Sequence, residues 1–510
     1  MPLISRTKKK RMANTVRIQT TDGSTVEFVD EIIGQGGMKD VYFSPDKSYV
    51  VAFFRDPQNL NAKDRLENIV GPYREKIFNQ AGGEYWKELF CWPTKIVEHN
   101  GRLGVVAPTY HRHFFFEHGS RNNDFLGIRG KDKEGKWFAS ANHRSKHLDP
   151  KELGNWRSYL TTCLKIARAV RRMHAAGLAH SDLSYKNVLL DPTRGKACII
   201  DIDGLVVPGK YPPDVVGTPD FIAPEVLTTI RLSRDDKRKA LPRIETDRHA
   251  LSVLIYMYLL YRHPLRGGKI HDPDPLIDES KSMGENALFV EHPQDASNRP
   301  NLEDIKPGYL PWADVRKVPY TITGPYLKSL FDLAFIDGLH HPVKRPTADD
   351  WEHALVKTVD LIQPCPNPTC TQGWYVFDNK ARPVCPFCQA AYKGPLPVLN
   401  FYSSRGGKYV PDNHRLMVYS NQYLYPWHAN RSIFPNEKIA DEHKKPVGYF
   451  VFHHQRWVFV NQTLHDMKDI TSGAPVPVQL GSMIELINGQ QLVLTDVSGG
   501  RLMRVQMANV

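Results

Sequence analysis

No apolar run among the 510 residues is long enough to cross a bilayer. The longest, from Ala250 to Tyr261, is bracketed by Asp247, Arg248 and Arg262 and predicts a buried helix. The opening MPLISRTKKKRM carries charge but no apolar core behind it, so no export signal is expected and the reading is a cytoplasmic protein. Cysteine is scarce, with seven in all: Cys91, Cys163 and Cys198 stand alone, whereas Cys365, Cys370, Cys385 and Cys388 cluster. An odd total with one tight cluster argues against a disulfide framework and for a metal site in a reducing compartment. Repeats at solenoid period are also missing.

What is present is ordinary globular composition, 41% hydrophobic and 24% charged, in a chain long enough for several domains. The formal charge of +12 is spread along the sequence, with local runs only at Lys8 to Arg11 and Arg234 to Lys239. Scattered charge of this kind reads as solvated surface, so neither a nucleic-acid nor a membrane partner is expected. Residues 1–15 form a basic extension. Residues 16 to 56 alternate apolar and polar around an Asp22-Gly23 turn and predict antiparallel strands. The polar stretch from His111 to His147 reads as an insertion, and helical spacing follows from Leu153 to Ala176. Pro364, Pro366 and Pro368 mark a boundary, beyond which 362–395 forms a small unit and 396–510 a β-rich one. In the latter, Asn488-Gly489 predicts a two-residue hairpin.

The chemistry concentrates in HSDLSYKNVLLD, where His180, Asp182 and Asn187 stand at H-x-D-x4-N spacing. Phosphoryl transfer needs a carboxylate to accept the acceptor hydroxyl's proton and a neutral amide oxygen to hold a metal ion, and one loop supplies both. Downstream, CIIDIDG places Asp201 and Asp203 after an apolar run, as acids that bind Mg²⁺ between phosphates should be placed.

From about residue 26 to 361 the sequence resembles the eukaryotic-like protein kinases. IIGQGGMKDVY resembles their glycine-rich loop, with Gly34, Gly36 and Gly37; GTPDFIAPE, with Thr218, resembles the end of an activation segment; Asp247 in TDRHALSVLIYMYLL resembles the acid that anchors the catalytic loop; and Arg345 in KRPTADDW resembles the partner of Glu225. The resemblance implies an α+β bilobal kinase fold over 16–361, with a first lobe to about residue 108 and a second over 109–361. It also implies ATP and Mg²⁺ as cofactors, Asp182 as general base, Asn187 and Asp201 as metal ligands, Val41 and Ala52 at the nucleotide, and a protein substrate, with serine or threonine favoured by GTPDFIAPE. An aminoglycoside-type small-molecule kinase is disfavoured by the Ala-Pro-Glu segment, Asp247 and Arg345.

Departures qualify the resemblance. Where the family carries Val-Ala-x-Lys, this chain has Val51-Ala52-Phe53-Phe54, and Arg55 is predicted to point outward because side chains alternate along a strand. GQGGMKDVY is similar to the with-no-lysine kinases, which implies Lys39 as the phosphate-binding cation. Its glutamate partner is either Glu75, favoured by spacing, or Glu67, with Pro72 between them. Ser181 and Ser184 replace the family's arginine and lysine, Lys186 stands where it can neutralise transferred phosphate, and Asp203 is either a second metal ligand or a surface acid. Phe54 and Ser181 also admit a nucleotide-binding pseudokinase scaffold.

Cys365-x4-Cys370 and Cys385-x2-Cys388 form paired knuckles suited to tetrahedral, structural Zn²⁺, with iron as the minor alternative. The last segment reads as a β-sandwich, either plain or loosely similar to forkhead-associated domains, with Arg431, His453 and Asn461 the residues of the right kind. A kinase followed by a zinc ribbon is similar in architecture to bacterial tellurite-resistance and stress-associated kinases, which implies a von Willebrand A protein and a protein phosphatase as partners.

Overall fold

The computed structural model describes residues 14–35, 38–58, 60–79, 82–207, 210–211, 217–233, 235–378 and 382–509. Gly36 and Gly37 of the glycine-rich loop lie outside them. The chain opens with a hairpin of β1 (Thr15–Gln19) and β2 (Thr25–Val29), turned where Gly23 adopts φ +80° and the Asp22 carboxylate accepts the Ser24 N–H. Next come β3 (Ile32–Gln35), β4 (Lys39–Phe43) and β5 (Tyr49–Phe54), then β6 (Lys95–His99) and β7 (Arg102–Pro108). These five make one antiparallel sheet in the order β3-β4-β5-β7-β6.

Alternation divides the side chains of this sheet between two faces. Tyr42, Val51, Phe53, Val97 and Val106 bury against Ile18, Val26 and Phe28 of the hairpin. Ala52, Phe54, Ile96, Leu103 and Val105 meet Leu66 from the helix that crosses the other face. That helix runs as α1 (Leu60–Asn68), a π-helical turn (Ile69–Tyr73) and α2 (Arg74–Phe78). Pro72 therefore widens one turn of the helix and does not end it, since the wider turn absorbs the missing N–H.

A mainly helical lobe follows α3 (Gly83–Leu89). Its axis is α4 (Trp156–Ala175), started by a capping box in which Asn155 Oδ1 accepts the Ser158 N–H and Ser158 Oγ accepts the Asn155 N–H. Behind α4 lie β8 (Val188–Asp191) paired with β9 (Lys196–Ile199), then α5 (Pro224–Thr228), α6 (Ile244–Leu260), α7 (Pro325–Asp332) and α8 (Ala348–Val359). The apolar run expected to be a buried helix is α6, buried on all sides from Ala250 to Leu260. The 111–147 stretch, expected as an insertion, is packed into the core. Phe114, Phe116 and Phe138 are buried, and Lys133 pairs with Glu152 at 2.8 Å with both side chains almost wholly enclosed. Its polar composition conceals this pairing, because a buried ion pair reads in sequence like solvated charge.

Beyond α8, β10 (Ile362–Pro364) pairs with β11 (Trp374–Val376). The remainder forms two antiparallel sheets. One contains β12 (Leu396–Arg405) and β13 (Lys408–Met417), and the other β14 (Tyr423–Leu424), β15 (Gly448–His453) and β16 (Arg456–Asn461). Further along, β17 (Lys468–Asp469), β18 (Val476–Pro477), β20 (Gln491–Val493) and β21 (Arg501–Ala508) join the first sheet, and β19 (Met483–Glu485) joins the second. Phe401, Leu492 and Met503 from one sheet pack with Phe450 and Phe459 from the other, as a sandwich requires. Asn488-Gly489 is not a hairpin turn. β19 pairs with β16 and β20 with β21, so the dipeptide carries the chain between sheets, with Gly489 at φ +85° donating its N–H to the Val505 carbonyl.

Candidate active site

The H-x-D-x4-N loop is fixed from below by Asp247, buried near the start of α6. Its Oδ2 accepts the His180 N–H at 2.7 Å and its Oδ1 the Ser181 N–H at 3.3 Å. Ser181 is thereby held at φ +65°. His180 Nε2 is bonded to the Ile200 carbonyl at 2.9 Å, tying the loop to the strand that delivers Asp201.

Above this base, Asp182 is held by two donors. Asn187 Nδ2 donates to its Oδ2 at 3.0 Å and to its carbonyl at 2.8 Å, while the Thr218 N–H donates to its Oδ1 at 2.6 Å. The last contact depends on Gly217, whose φ is +119° and where a Cβ would lie 3.2 Å from the Ser181 carbonyl. Each carboxylate oxygen of Asp182 keeps a lone pair, as proton acceptance from a hydroxyl requires. Both Asn187 amide hydrogens are spent on Asp182, and among the described residues no donor reaches its Oδ1. That oxygen, with the Asp201 and Asp203 carboxylates, offers the all-oxygen donor set that suits Mg²⁺.

Lys39 and Val41 share a face of β4 with Ala52 and Phe54 of β5, and Lys39 stands directly opposite Phe54, its Nζ 5.5 Å from the ring centre. Lys39 Nζ reaches across the cleft to Asp201 Oδ1 at 2.9 Å and to Asp203 Oδ2 at 2.6 Å. Burial alone would push the lysine's pKa down, but the Asp203 and Asp201 carboxylates hold it above its ordinary value. Burial would likewise raise Asp201, and the Lys39 ammonium outweighs it, so the acid stays below the usual carboxylate range.

Neither Glu75 nor Glu67 joins this site. Both are exposed, because the helix through the π turn presents Leu66, Ile69 and Ile77 inward. Asp203, left open in the sequence between ligand and surface acid, is buried against Lys39 and is not a surface acid. Gly34 pairs with Val41 at the root of the glycine loop. Arg55 is on the opposite face of β5 from Lys39, 3.8 Å from Asp40. Lys186 is exposed.

Sequence reasoning missed how the activation segment is pinned. Asp220 accepts from the Tyr185 hydroxyl at 3.0 Å and from Arg266 Nε at 2.7 Å, and His263 Nε2 is bonded to the Asp220 carbonyl at 2.9 Å. The Glu225–Arg345 pair that the family resemblance implied is present and bidentate, at 2.9 and 2.7 Å.

In the second cluster the Sγ atoms of Cys365, Cys370, Cys385 and Cys388 lie within 4.8 Å of one another. Turn hydrogen bonds shape both knuckles: the Cys365 N–H donates to Gly373 and the Cys385 N–H to Ala390. The knuckles are docked on the helical lobe. Phe387 sits 5.4 Å from Trp156 and 5.5 Å from Trp312 between ring centres, and the Trp156 N–H at the start of α4 donates to the Gln372 carbonyl. In the sandwich, Asn461 is consumed by its own loop, accepting the Leu464 N–H and donating to the Leu464 carbonyl, while Arg431 and His453 are exposed.

Comparison with known proteins bears on the helical lobe. The family model described as protein kinase domain matches residues 137–305. Serine/threonine-protein kinase PknD of Chlamydia trachomatis serovar D is 28% identical over 277 residues, covering 47% of this chain and 25% of that protein. PknD of Chlamydia abortus is 30% identical over 158 residues, 25% of this chain and 15% of that protein. The death-associated protein kinase dapk-1 of Caenorhabditis elegans is 36% identical over 107 residues, 20% of this chain and 7% of that protein. The chain thus spans a quarter or less of the length of these relatives. Asp182, Asn187, Asp201 and the anchoring Asp247 all lie inside the segment that matches the protein kinase domain model.

Proposed function

We propose that the protein transfers the terminal phosphate of ATP to serine or threonine hydroxyls of protein substrates. The observation that carries this is the Asp182 carboxylate, oriented by Asn187 and by the Thr218 N–H on a loop anchored to Asp247. Asp182 accepts the proton of the acceptor hydroxyl. Lys39 holds phosphate oxygens from β4, the role Phe54 has vacated on β5, and Asn187 Oδ1 with Asp201 and Asp203 would hold Mg²⁺. The metal, when bound, neutralises charge on the transferring phosphate. Gly34, Gly36 and Gly37 would close over the nucleotide, Val41 and Ala52 would line it, and Lys186 would meet the phosphate at the mouth.

In this reading residues 362–395 bind one structural Zn²⁺. Sulfur contacts of 3.4 Å (Cys365–Cys388) and 4.0 Å (Cys370–Cys385) bracket the separation of about 3.8 Å that a tetrahedral site with ordinary Zn–S bonds requires. The reading also includes a cytoplasmic location and, from the kinase-and-ribbon architecture, a von Willebrand A-domain protein and a protein phosphatase as partners.

A second reading, a nucleotide-binding scaffold, is favoured by one observation: Lys39 occupies both acids that would take the metal. Incubating the full chain with labelled ATP, Mg²⁺ and a generic protein substrate, followed by phosphoamino-acid analysis, separates the two. Labelled serine or threonine supports transfer, and tight ATP binding without incorporation supports the scaffold.

A further inference from the structure

Between the kinase domain and the C-terminal sheets lies a cavity of about 850 Å³, within the range of small-molecule sites and sharing no lining residue with the catalytic cleft. One wall is a fixed aromatic platform. Tyr425 and Trp427 stack with ring centres 4.3 Å apart and planes 5° from parallel. Pro426 between them restricts the backbone at the first turn of a short helix, Pro426–Ala429. The Tyr425 N–H donates to His428 Nδ1, and His428 Nε2 lies 3.2 Å from Oδ1 of the buried Asp360, whose other oxygen is 2.6 Å from His414 Nε2. The backbone that carries the platform is therefore anchored to Asp360, the residue that directly follows α8.

Charge and hydrogen-bonding capacity in the remaining walls narrow the ligand. Both acids lining the cavity are already matched, Asp360 by the two histidines and Glu437 by Arg171 at 2.7 Å. Arg157 from α4 has no acid partner among the described residues, whereas Lys444 is paired with Asp441 at 2.8 Å. Gln422 is only 7% exposed; its Oε1 accepts the Tyr419 N–H, and among the described residues its Nε2 has no acceptor. The Nε2 donor opens onto the cavity, where a ligand acceptor can meet it. A flat aromatic surface, an amide donor on the cavity and the Arg157 guanidinium together call for a planar heterocycle that bears acceptors and an anionic group.

We propose that this cavity binds a free nucleotide, with its base stacked on the Tyr425–Trp427 platform and accepting from Gln422 Nε2, and its phosphate against Arg157 and Lys444. The site is separate from the ATP cleft and touches both parts of the chain. Gly82 and Tyr85, at the start of α3, also line it, so a bound nucleotide bridges the sandwich to that helix.

The test is calorimetric titration of the full chain with the four ribonucleoside 5′-monophosphates, which needs no turnover and is therefore independent of the phosphotransfer reading. Lys39→Met serves as the control for the catalytic cleft. The proposal expects one monophosphate to bind, Trp427→Leu and Gln422→Leu each to weaken it about tenfold or more, and Trp427→Phe and Lys39→Met to leave it nearly unchanged. Arg157→Ala, an exposed position that spares the fold, should weaken the monophosphate while leaving the parent nucleoside unaffected. Absence of binding at millimolar nucleotide, binding of a short single-stranded oligonucleotide alone, or binding lost in Lys39→Met but kept in Trp427→Leu and Gln422→Leu would each overturn it.

Discussion

Lys39 Nζ stands 2.6 Å from Asp203 Oδ2 and 2.9 Å from Asp201 Oδ1, so a lysine arriving from β4 bridges both acids of the loop after β9. In the proposed reading Lys39 takes the place of the lysine that β5 lacks, where Phe54 packs instead against Leu66. It also brings one cation and two anions to the point where phosphate and metal charges must be balanced.

Replacing Lys39 by methionine should lower phosphotransfer by about a hundredfold or more, the scale of losing one preorganised electrostatic contact. Arg55→Ala should have little effect, since Arg55 faces Asp40 on the far side of the strand. Phe54→Lys in the Lys39→Met background should restore part of the rate. Steady-state transfer to a peptide measures all three, and near wild-type turnover in Lys39→Met would remove the residue from the mechanism.

Acidification should loosen the activation segment through His263. Its Nδ1 accepts the Leu265 N–H while Nε2 is bonded to the Asp220 carbonyl, the pattern of a neutral ring. Burial lowers its pKa from 6.5 to about 4, against the pull of Asp220. The folded state then binds fewer protons than the unfolded one, so the neutral ring's contribution is fully present above 6.5 and is lost as pH falls toward 4. The loss at the acid end is about 3 kcal/mol at most. Urea midpoints at neutral pH and at about pH 5 should differ by less in His263→Gln than in the parent.

Metal analysis of freshly purified, unchelated protein should find about one zinc per chain. Cys365→Ser and Cys388→Ser should each lose it. Because Phe387 packs against Trp156 and Trp312, loss of zinc should also shift tryptophan emission and expose residues 362–395 to protease. A chain without zinc and with unchanged emission in the variants would contradict this arrangement.

What could be read from the sequence was what is local in it. Asp182 and Asn187 are close enough along the chain to meet within one loop, and the four cysteines sit in two short knuckles whose spacing reports their geometry. Long-range pairing was not legible. The reach of Lys39 to Asp203 crosses from one lobe to the other, and Glu75 looked suitable because spacing along a helix does not reveal how a π turn rotates its faces. Asn488-Gly489 has the composition of a hairpin, but the neighbours of β19 and β20 are chosen by two different sheets. The packing of the 111–147 stretch was not legible either, because burial of Lys133 depends on Glu152 and Asp191, which the sequence places elsewhere.

The central claim is that Asp182, positioned by Asn187 and Thr218, acts as the base of a phosphotransferase. Its most direct test is incorporation of terminal phosphate from labelled ATP into a serine- and threonine-containing protein substrate, comparing the parent chain with Asp182→Ala at matched folding. Incorporation by the parent and a fall of about a hundredfold to ten-thousandfold in the variant, with ATP binding retained, is the predicted result. A parent chain that binds ATP yet transfers nothing, or a variant as active as the parent, would contradict it.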